Sequence, residues 1–278
     1  MGKYMYVLPT QQCNLHCPHC SIYNHKDDFN KEKFLYEMNN FEGNRLVLFG
    51  GEVTSNIERM KMVIESNQKD GKTKIGTIST NLIFLNDYLL SIYKSIGSIG
   101  TSWNPHRFHT DILYQTWLKN LKTIWENGVQ YTLLITLDKD LMNMSVNDFL
   151  NKARKDFDHE NETIRFEQYV GSDVDQSHYD KADEWLCEIY KKWDLKSHFQ
   201  TPDYVRDWVY DCDETYTLFP DGTVINRCPH NLPAVTPEAC FTCERADICR
   251  PCRLTPYCTF PKKLAKLIEE DDKKNLDK

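Results

Sequence analysis

The sequence predicts an α/β fold: a partial (β/α)6, TIM-like barrel followed by a cysteine-rich C-terminal extension. Three observations predict it. Apolar, β-branched runs alternate with helix-period segments up to about residue 170. Six such units in series imply a parallel sheet with right-handed crossovers. Seven of the eleven cysteines fall between Cys212 and Cys258, where apolar periodicity fades.

Strands are expected at 4–8, 45–49, 74–78, 96–103, 131–137 and 163–169. Helices are expected between them at 31–39, 57–66, 86–95, 111–127 and 145–156. The fourth helix is the clearest, with Leu113, Trp117, Leu121 and Ile124 on one face and Asn127-Gly128 to end it. In a barrel of this kind the chemistry sits at the C-terminal ends of the strands. Beyond residue 170 a helix is expected at 180–193, carrying Trp185, Ile189 and Trp193. Runs at 215–219 and 223–225 flank Pro220-Asp221-Gly222, a hairpin signal. The stretch after Cys228 has too little apolar pattern to fold by burial alone, so metal sites are expected to order it. These readings divide the chain into a barrel (1–175), a helical connector (176–210), a cysteine-rich domain (211–260) and a C-terminal helix with a charged tail (261–278).

With 40% hydrophobic and 27% charged residues, the chain has the balance of a soluble globular protein. It lacks the run of about 18 apolar residues that a membrane span needs. The apolar stretch before Pro9 is too short for a secretory signal, so a cytoplasmic protein without a membrane partner is expected. A net charge of -7 argues against nucleic acid as a partner. The acidic run Glu269-Glu270-Asp271-Asp272 before Lys273-Lys274 reads as a solvated helix end. Clustered cysteines in such a chain point to metal ligation, with a disulfide framework as the alternative. Cys187 stands apart beside Trp185 and Ile189 on a predicted helix, and reads as a buried thiol.

Directly after the first strand comes Cys13-Asn14-Leu15-His16-Cys17-Pro18-His19-Cys20, a C-x3-C-x2-C spacing. Three thiolates this close can hold three irons of a cubane and leave the fourth open, as a catalytic metal site requires. Zinc is the alternative, with His16 or His19 completing four ligands. Gly50-Gly51-Glu52 follows the second strand. Its glycines let the backbone approach a ligand closely, and its carboxylate can accept hydrogen bonds from an ammonium group. Ser79-Thr80-Asn81 ends the third strand and Thr101-Ser102-Trp103-Asn104 the fourth; taken alone, either is an ordinary turn.

Together these motifs resemble the radical S-adenosylmethionine (SAM) superfamily over the barrel region. The resemblance implies a 4Fe-4S cluster on Cys13, Cys17 and Cys20, with the fourth iron binding the amino and carboxylate groups of SAM. His19 stands where the family usually places an aromatic ring near the adenine. Gly50, Gly51 and Glu52 match the family's GGE motif, which contacts the methionine amine. Asn81 matches an S/T-N-G element in which Leu82 replaces the glycine, and Ser102 matches a position near the ribose. The arginine that some relatives use for the SAM carboxylate has no aligned counterpart, although Arg107 is close in sequence.

The second constellation is Cys212, Cys228, Cys240, Cys243, Cys249, Cys252 and Cys258, with Gly222 between the first two. It resembles the SPASM extension of radical SAM proteins, which binds auxiliary 4Fe-4S clusters. Two spacings depart from that pattern: five residues separate Gly222 from Cys228 instead of four, and two separate Cys249 from Cys252 instead of three. The family's interleaved ligation implies one site on Cys240, Cys243, Cys249 and Cys258 and another on Cys212, Cys228 and Cys252. Zinc ribbons also use paired C-x2-C motifs and remain the alternative.

By the same resemblance, reductive cleavage of SAM yields a 5′-deoxyadenosyl radical that removes a substrate hydrogen, with flavodoxin or ferredoxin as electron donor. SPASM proteins most often crosslink, epimerise or oxidise a peptide or protein, and such a substrate is the leading expectation. Pro229 stands where anaerobic sulfatase maturases carry an aspartate base, which counts against that chemistry. Dehydrogenation or rearrangement of a sugar or nucleoside is the second expectation. A non-catalytic iron-sulfur or zinc-binding protein is the third.

Overall fold

The computed structural model describes residues 3–17, 20, 27–71, 73–156, 163–169, 173–192, 215–226, 257–259 and 261–276. Its strands are β1 (Tyr4–Val7), β2 (Arg45–Leu48), β3 (Ile75–Thr80), β4 (Ser98–Ser102), β5 (Gln130–Leu137), β6 (Thr163–Gln168), β7 (Thr215–Leu218) and β8 (Val224–Ile225). Its helices are α1 (Lys31–Asn39), α2 (Ile57–Asp70), α3 (Asp87–Ile96), α4 (Asp111–Glu126), α5 (Lys139–Met142), α6 (Val146–Asp156), α7 (Gln176–Lys192) and α8 (Lys262–Leu276). The sheet order is β6-β5-β4-β3-β2-β1-β7-β8. Pairing is parallel from β1 through β5, as βα units in series require. No helix among the described residues is long and apolar enough to cross a membrane.

The chain divides into two compact units. The first comprises Met1–Leu134 with Cys212–Asn231, the second Ile135–Asp211 with Leu232–Lys278. In the first, side-chain caps start the helices: Asn30, Asn56, Asn86 and Thr110 each accept an N–H from the first turn of α1, α2, α3 and α4. Helix α4 buries Tyr114, Trp117, Leu121 and Ile124, with Leu113 only half-buried. Two indoles fasten α4 to β4: Trp117 Nε1 donates to Thr101 Oγ1 and Trp103 Nε1 to Tyr114 Oη, both at 3.1 Å.

Several boundaries differ from expectation for local reasons. β4 begins at Ser98 because Gly97, at φ 86°, ends α3 in the left-handed conformation. α2 runs four residues past the expected 66 to Asp70. There Asn67 donates to Thr73 O at 2.8 Å and accepts from Ile75 N at 3.3 Å, bridging α2 to β3. β3 extends two residues further than expected, through Ser79 and Thr80. The hairpin expected to open the cysteine-rich domain instead extends the barrel sheet. β7 pairs in parallel with β1, from Tyr4↔Thr215 to Val7↔Leu218, and Asn30 N donates to Pro220 O at 3.0 Å.

In the second unit, α6 and α7 meet through Phe149 and Trp185, edge to face at 4.8 Å. The short helix α5, not expected from the sequence, starts where Asp138 caps Leu141 N at 2.9 Å. The start of α8 docks on α7, where the buried Asp183 carboxylate accepts Lys263 N at 2.7 Å and Leu264 N at 2.9 Å.

Candidate active site

The site is built where β1, β2 and β3 end. Beyond β1 the chain stays extended beside the residues that follow β2, with Phe49 N donating to Val7 O at 2.9 Å, Gly51 N to Thr10 O at 3.2 Å and Glu52 N to Gln12 O at 2.7 Å. A Cβ on Gly50 would stand 2.5 Å from Thr10 O, and one on Gly51 would stand 2.3 Å from Gln12 O. The close approach that these glycines permit on that side is made by the protein's own backbone at Thr10 and Gln12.

The other stem of the cysteine loop is held by one ion pair. Asp27 accepts from Gln11 N at 2.8 Å and from Thr10 Oγ1 at 3.1 Å. Arg59 of α2 donates to Asp27 Oδ2 at 2.8 Å and to Pro9 O at 3.2 Å, and its guanidinium lies 4.4 Å from the Phe29 ring centroid. One side chain thus binds Pro9 and Asp27, on either side of the three cysteines in sequence. Neither Asp27 nor Arg59 was singled out from the sequence.

Glu52 is 2% exposed, and its carboxylate ties β2 to β3. Oε1 accepts Thr54 N at 3.0 Å, Thr54 Oγ1 at 2.7 Å and Thr80 Oγ1 at 2.9 Å, while Oε2 accepts Asn81 N at 2.6 Å. A carboxylate has about four lone-pair sites, so Oε1 is filled and capacity for a ligand ammonium remains only on Oε2. The turn that follows is tight: Leu82 N donates to Thr80 Oγ1 at 3.1 Å and Ile83 N to Asn81 Oδ1 at 3.1 Å. Leu82 adopts φ 57°, the left-handed region that a glycine would occupy without strain. Its side chain is fully buried, so apolar burial offsets the backbone cost at a position where the resembled motif has glycine.

Cys13, Cys17 and Cys20 are free thiols, each half-buried, and Cys20 N donates to Cys17 O at 3.0 Å in a turn. The Cys13 sulfur receives Leu15 N at 3.4 Å and Asn81 Nδ2 at 3.9 Å. Burial pushes the Cys13 thiol up to about 11; the Leu15 bond opposes this, and negative charge on Glu52, Cys17 and Cys20 adds to it. A metal centre reverses this balance, since a coordinating thiol is deprotonated outright. Among the described residues, no group of three or more His, Cys, Asp and Glu side chains converges as a single ion requires. A cubane asks for a different arrangement, one thiolate per iron, and three partly exposed thiols, with N–H donors on the Cys13 sulfur, suit that donor set.

Ser102 ends β4 half-buried, and its carbonyl accepts Arg107 Nη1 at 3.0 Å. Arg107 is 6% exposed, and its Nε–H has no hydrogen-bond partner among the described residues. A buried guanidinium with a spare donor favours a carboxylate ligand. Sequence alignment passed over Arg107; burial beside the end of β4 brings it forward. His19, Cys212, Cys228, Cys240, Cys243, Cys249 and Cys252 lie outside the described residues. Cys258, in the second unit, is held through its peptide group: its N–H donates to Gln176 Oε1 at 2.9 Å and its carbonyl accepts Gln176 Nε2 at 3.1 Å. Gln168 Nε2 donates to the next carbonyl, Thr259 O, at 3.2 Å.

No family model matches the sequence, and no curated protein matches it. Solved structures do share its fold. The structure described as native anSMEcpe with bound AdoMet and Cp18Cys peptide superposes with a TM-score of 0.72 at 15% identity, covering 99% of each chain. Streptococcus suis SuiB bound to S-adenosylmethionine superposes at 0.62 and 12% identity, covering 89% of this chain and 72% of that one. SuiB bound to precursor peptide SuiA superposes at 0.59 and 13% identity, covering 89% and 70%.

Proposed function

We propose that this chain is a radical SAM enzyme that modifies a peptide or protein, with a 4Fe-4S cluster on Cys13, Cys17 and Cys20. The observation that carries the proposal is the loop bearing these three thiols, fixed beside Glu52 and Asn81 where β1 to β3 end. The fold supports it, because two of the superposed structures hold AdoMet and two hold a peptide. When bound, the cluster supplies the electron that cleaves SAM to methionine and a 5′-deoxyadenosyl radical, which takes a hydrogen atom from the substrate. We assign SAM to His19, Gly50, Gly51, Glu52, Asn81 and Ser102. Arg107 joins them as the partner of the SAM carboxylate. Glu52 offers its one underused oxygen to the amine, while the bonds it accepts from Thr54, Thr80 and Asn81 tie the end of β2 to the end of β3.

The C-terminal cysteines Cys212, Cys228, Cys240, Cys243, Cys249, Cys252 and Cys258 are assigned to auxiliary clusters in a SPASM-like segment, with Gln176 presenting Cys258. The compartment proposed is the cytoplasm, and the donor a low-potential flavodoxin or ferredoxin. Anaerobic reconstitution followed by iron and sulfide quantification and a 5′-deoxyadenosine assay tests the reading. Cys17→Ala is expected to abolish 5′-deoxyadenosine formation and Cys187→Ala to leave it intact. Zinc alone at the first three sulfurs overturns the proposal.

A further inference from the structure

The amide of Asn81 has a second neighbour besides the turn it sits in. Its Nδ2 lies 2.6 Å from Asn14 Oδ1 and 3.9 Å from Cys13 Sγ, so each of its two protons has an acceptor. The amide orientation is fixed independently, because Oδ1 accepts Ile83 N at 3.1 Å and a flipped amide would lose that bond. The backbone is fixed too: Asn81 N is held by Glu52 Oε2 at 2.6 Å, and the residue is 6% exposed. Leu15 N donates to the same sulfur at 3.4 Å.

We infer that Asn81 is a positioning and tuning residue for the cluster, donating an N–H···S hydrogen bond from its side-chain amide to the Cys13 ligand sulfur. The inference rests on the cluster assignment above and deepens it. Reduction adds negative charge that spreads onto the ligand sulfurs, and a donor on sulfur stabilises the reduced state, raising the reduction potential. A buried donor whose orientation is already set by other bonds gives this stabilisation without reorganising. Glu52, Thr80 and Leu82 shape the turn and thereby aim the amide.

Redox titration of the reconstituted protein, followed by EPR, tests this. The first-site signal is identified as the one lost in Cys17→Ala. Asn81→Asp keeps the Ile83 acceptor and the backbone bond to Glu52 but removes the donor, and it is expected to move the midpoint of that signal to more negative potential. Asn81→Ala is expected to move it the same way by less, since no carboxylate is added. An unmoved midpoint in both variants overturns the inference while leaving the cluster assignment standing. Absence of any cluster on Cys13, Cys17 and Cys20 in the unsubstituted protein overturns both. Should both variants lose the cluster, Asn14→Ala protein labelled with side-chain-amide 15N asparagine decides the matter by pulsed EPR. A 15N coupling to the first cluster supports the N–H···S bond, and its absence overturns it.

Discussion

Cys13 and Cys258 are held in different ways. Cys13 is gripped at its sulfur, by Leu15 N and the Asn81 amide, inside a frame of side chains drawn from the ends of three neighbouring strands. Cys258 is gripped at its peptide group, by a single glutamine from the start of α7. Donors on sulfur act on the electronic state of a bound metal as well as on ligand position, whereas donors on the peptide act on position alone. On the proposed cluster assignment, the first unit sets the chemistry of its thiolates, and the contacts described in the second present one. Substitutions in the two frames sharpen or break this contrast.

The largest effect is expected at Glu52. Glu52→Leu removes the acceptor of four hydrogen bonds and leaves Thr54, Thr80 and Asn81 donors buried. Each stranded donor costs about 1–3 kcal/mol, so a loss on the order of 3–5 kcal/mol is expected by urea denaturation, with part of the donors finding water. Glu52→Gln keeps the shape but turns one acceptor into a donor, and about half that loss is expected. A loss under about 1 kcal/mol in Glu52→Leu would show that the carboxylate does not join β2 to β3 and that its place is owed to ligand alone.

An intermediate effect is expected at Arg59, which acts on the loop stems rather than on the thiols. Arg59→Met keeps much of the apolar stem and removes the bonds to Asp27 and Pro9. The pair is partly exposed, with side chains at 20% and 13%, so screening limits the loss to about 1–2 kcal/mol. Iron at the first site is expected to be lost faster to a chelator, with the EPR midpoint of the remaining cluster unchanged. A shifted midpoint would mean that loop stems and sulfur donors are not separable, and the contrast drawn above would weaken.

The fold was legible because its signals are local. Alternating strand and helix periods gave the β1 to β5 order, and the C-x3-C-x2-C spacing after β1 marked the loop that matters. What stayed hidden depends on residues far apart in sequence. A hairpin signal announces that β7 turns into β8 but says nothing of a parallel partner, so the pairing of β7 with β1 was missed. Glu52 was found through its motif, yet its donors Thr80 and Asn81 stand 28 and 29 residues away, beyond any spacing rule. Arg59 belongs to no motif, and Arg107 has no aligned counterpart in the resembled family; each is distinguished only by what it meets in the fold.

The smallest effect is expected at Gln176, and it bears most directly on the second half of the contrast. Gln176→Ala deletes two hydrogen bonds to the Cys258 peptide while leaving both peptide groups half-exposed, where water can replace the amide. The stability cost should be about 1 kcal/mol or less. If the clamp serves to present Cys258 to a cluster, iron per chain falls on reconstitution while the first-site EPR signal keeps its response to SAM. Gln176→Glu restores the acceptor for Cys258 N–H but not the donor for its carbonyl, and intermediate iron is expected. Unchanged iron in both variants would mean that Cys258 is placed by the α7–α8 packing around Asp183, and that the glutamine merely fills a hydrogen-bonding vacancy beside it.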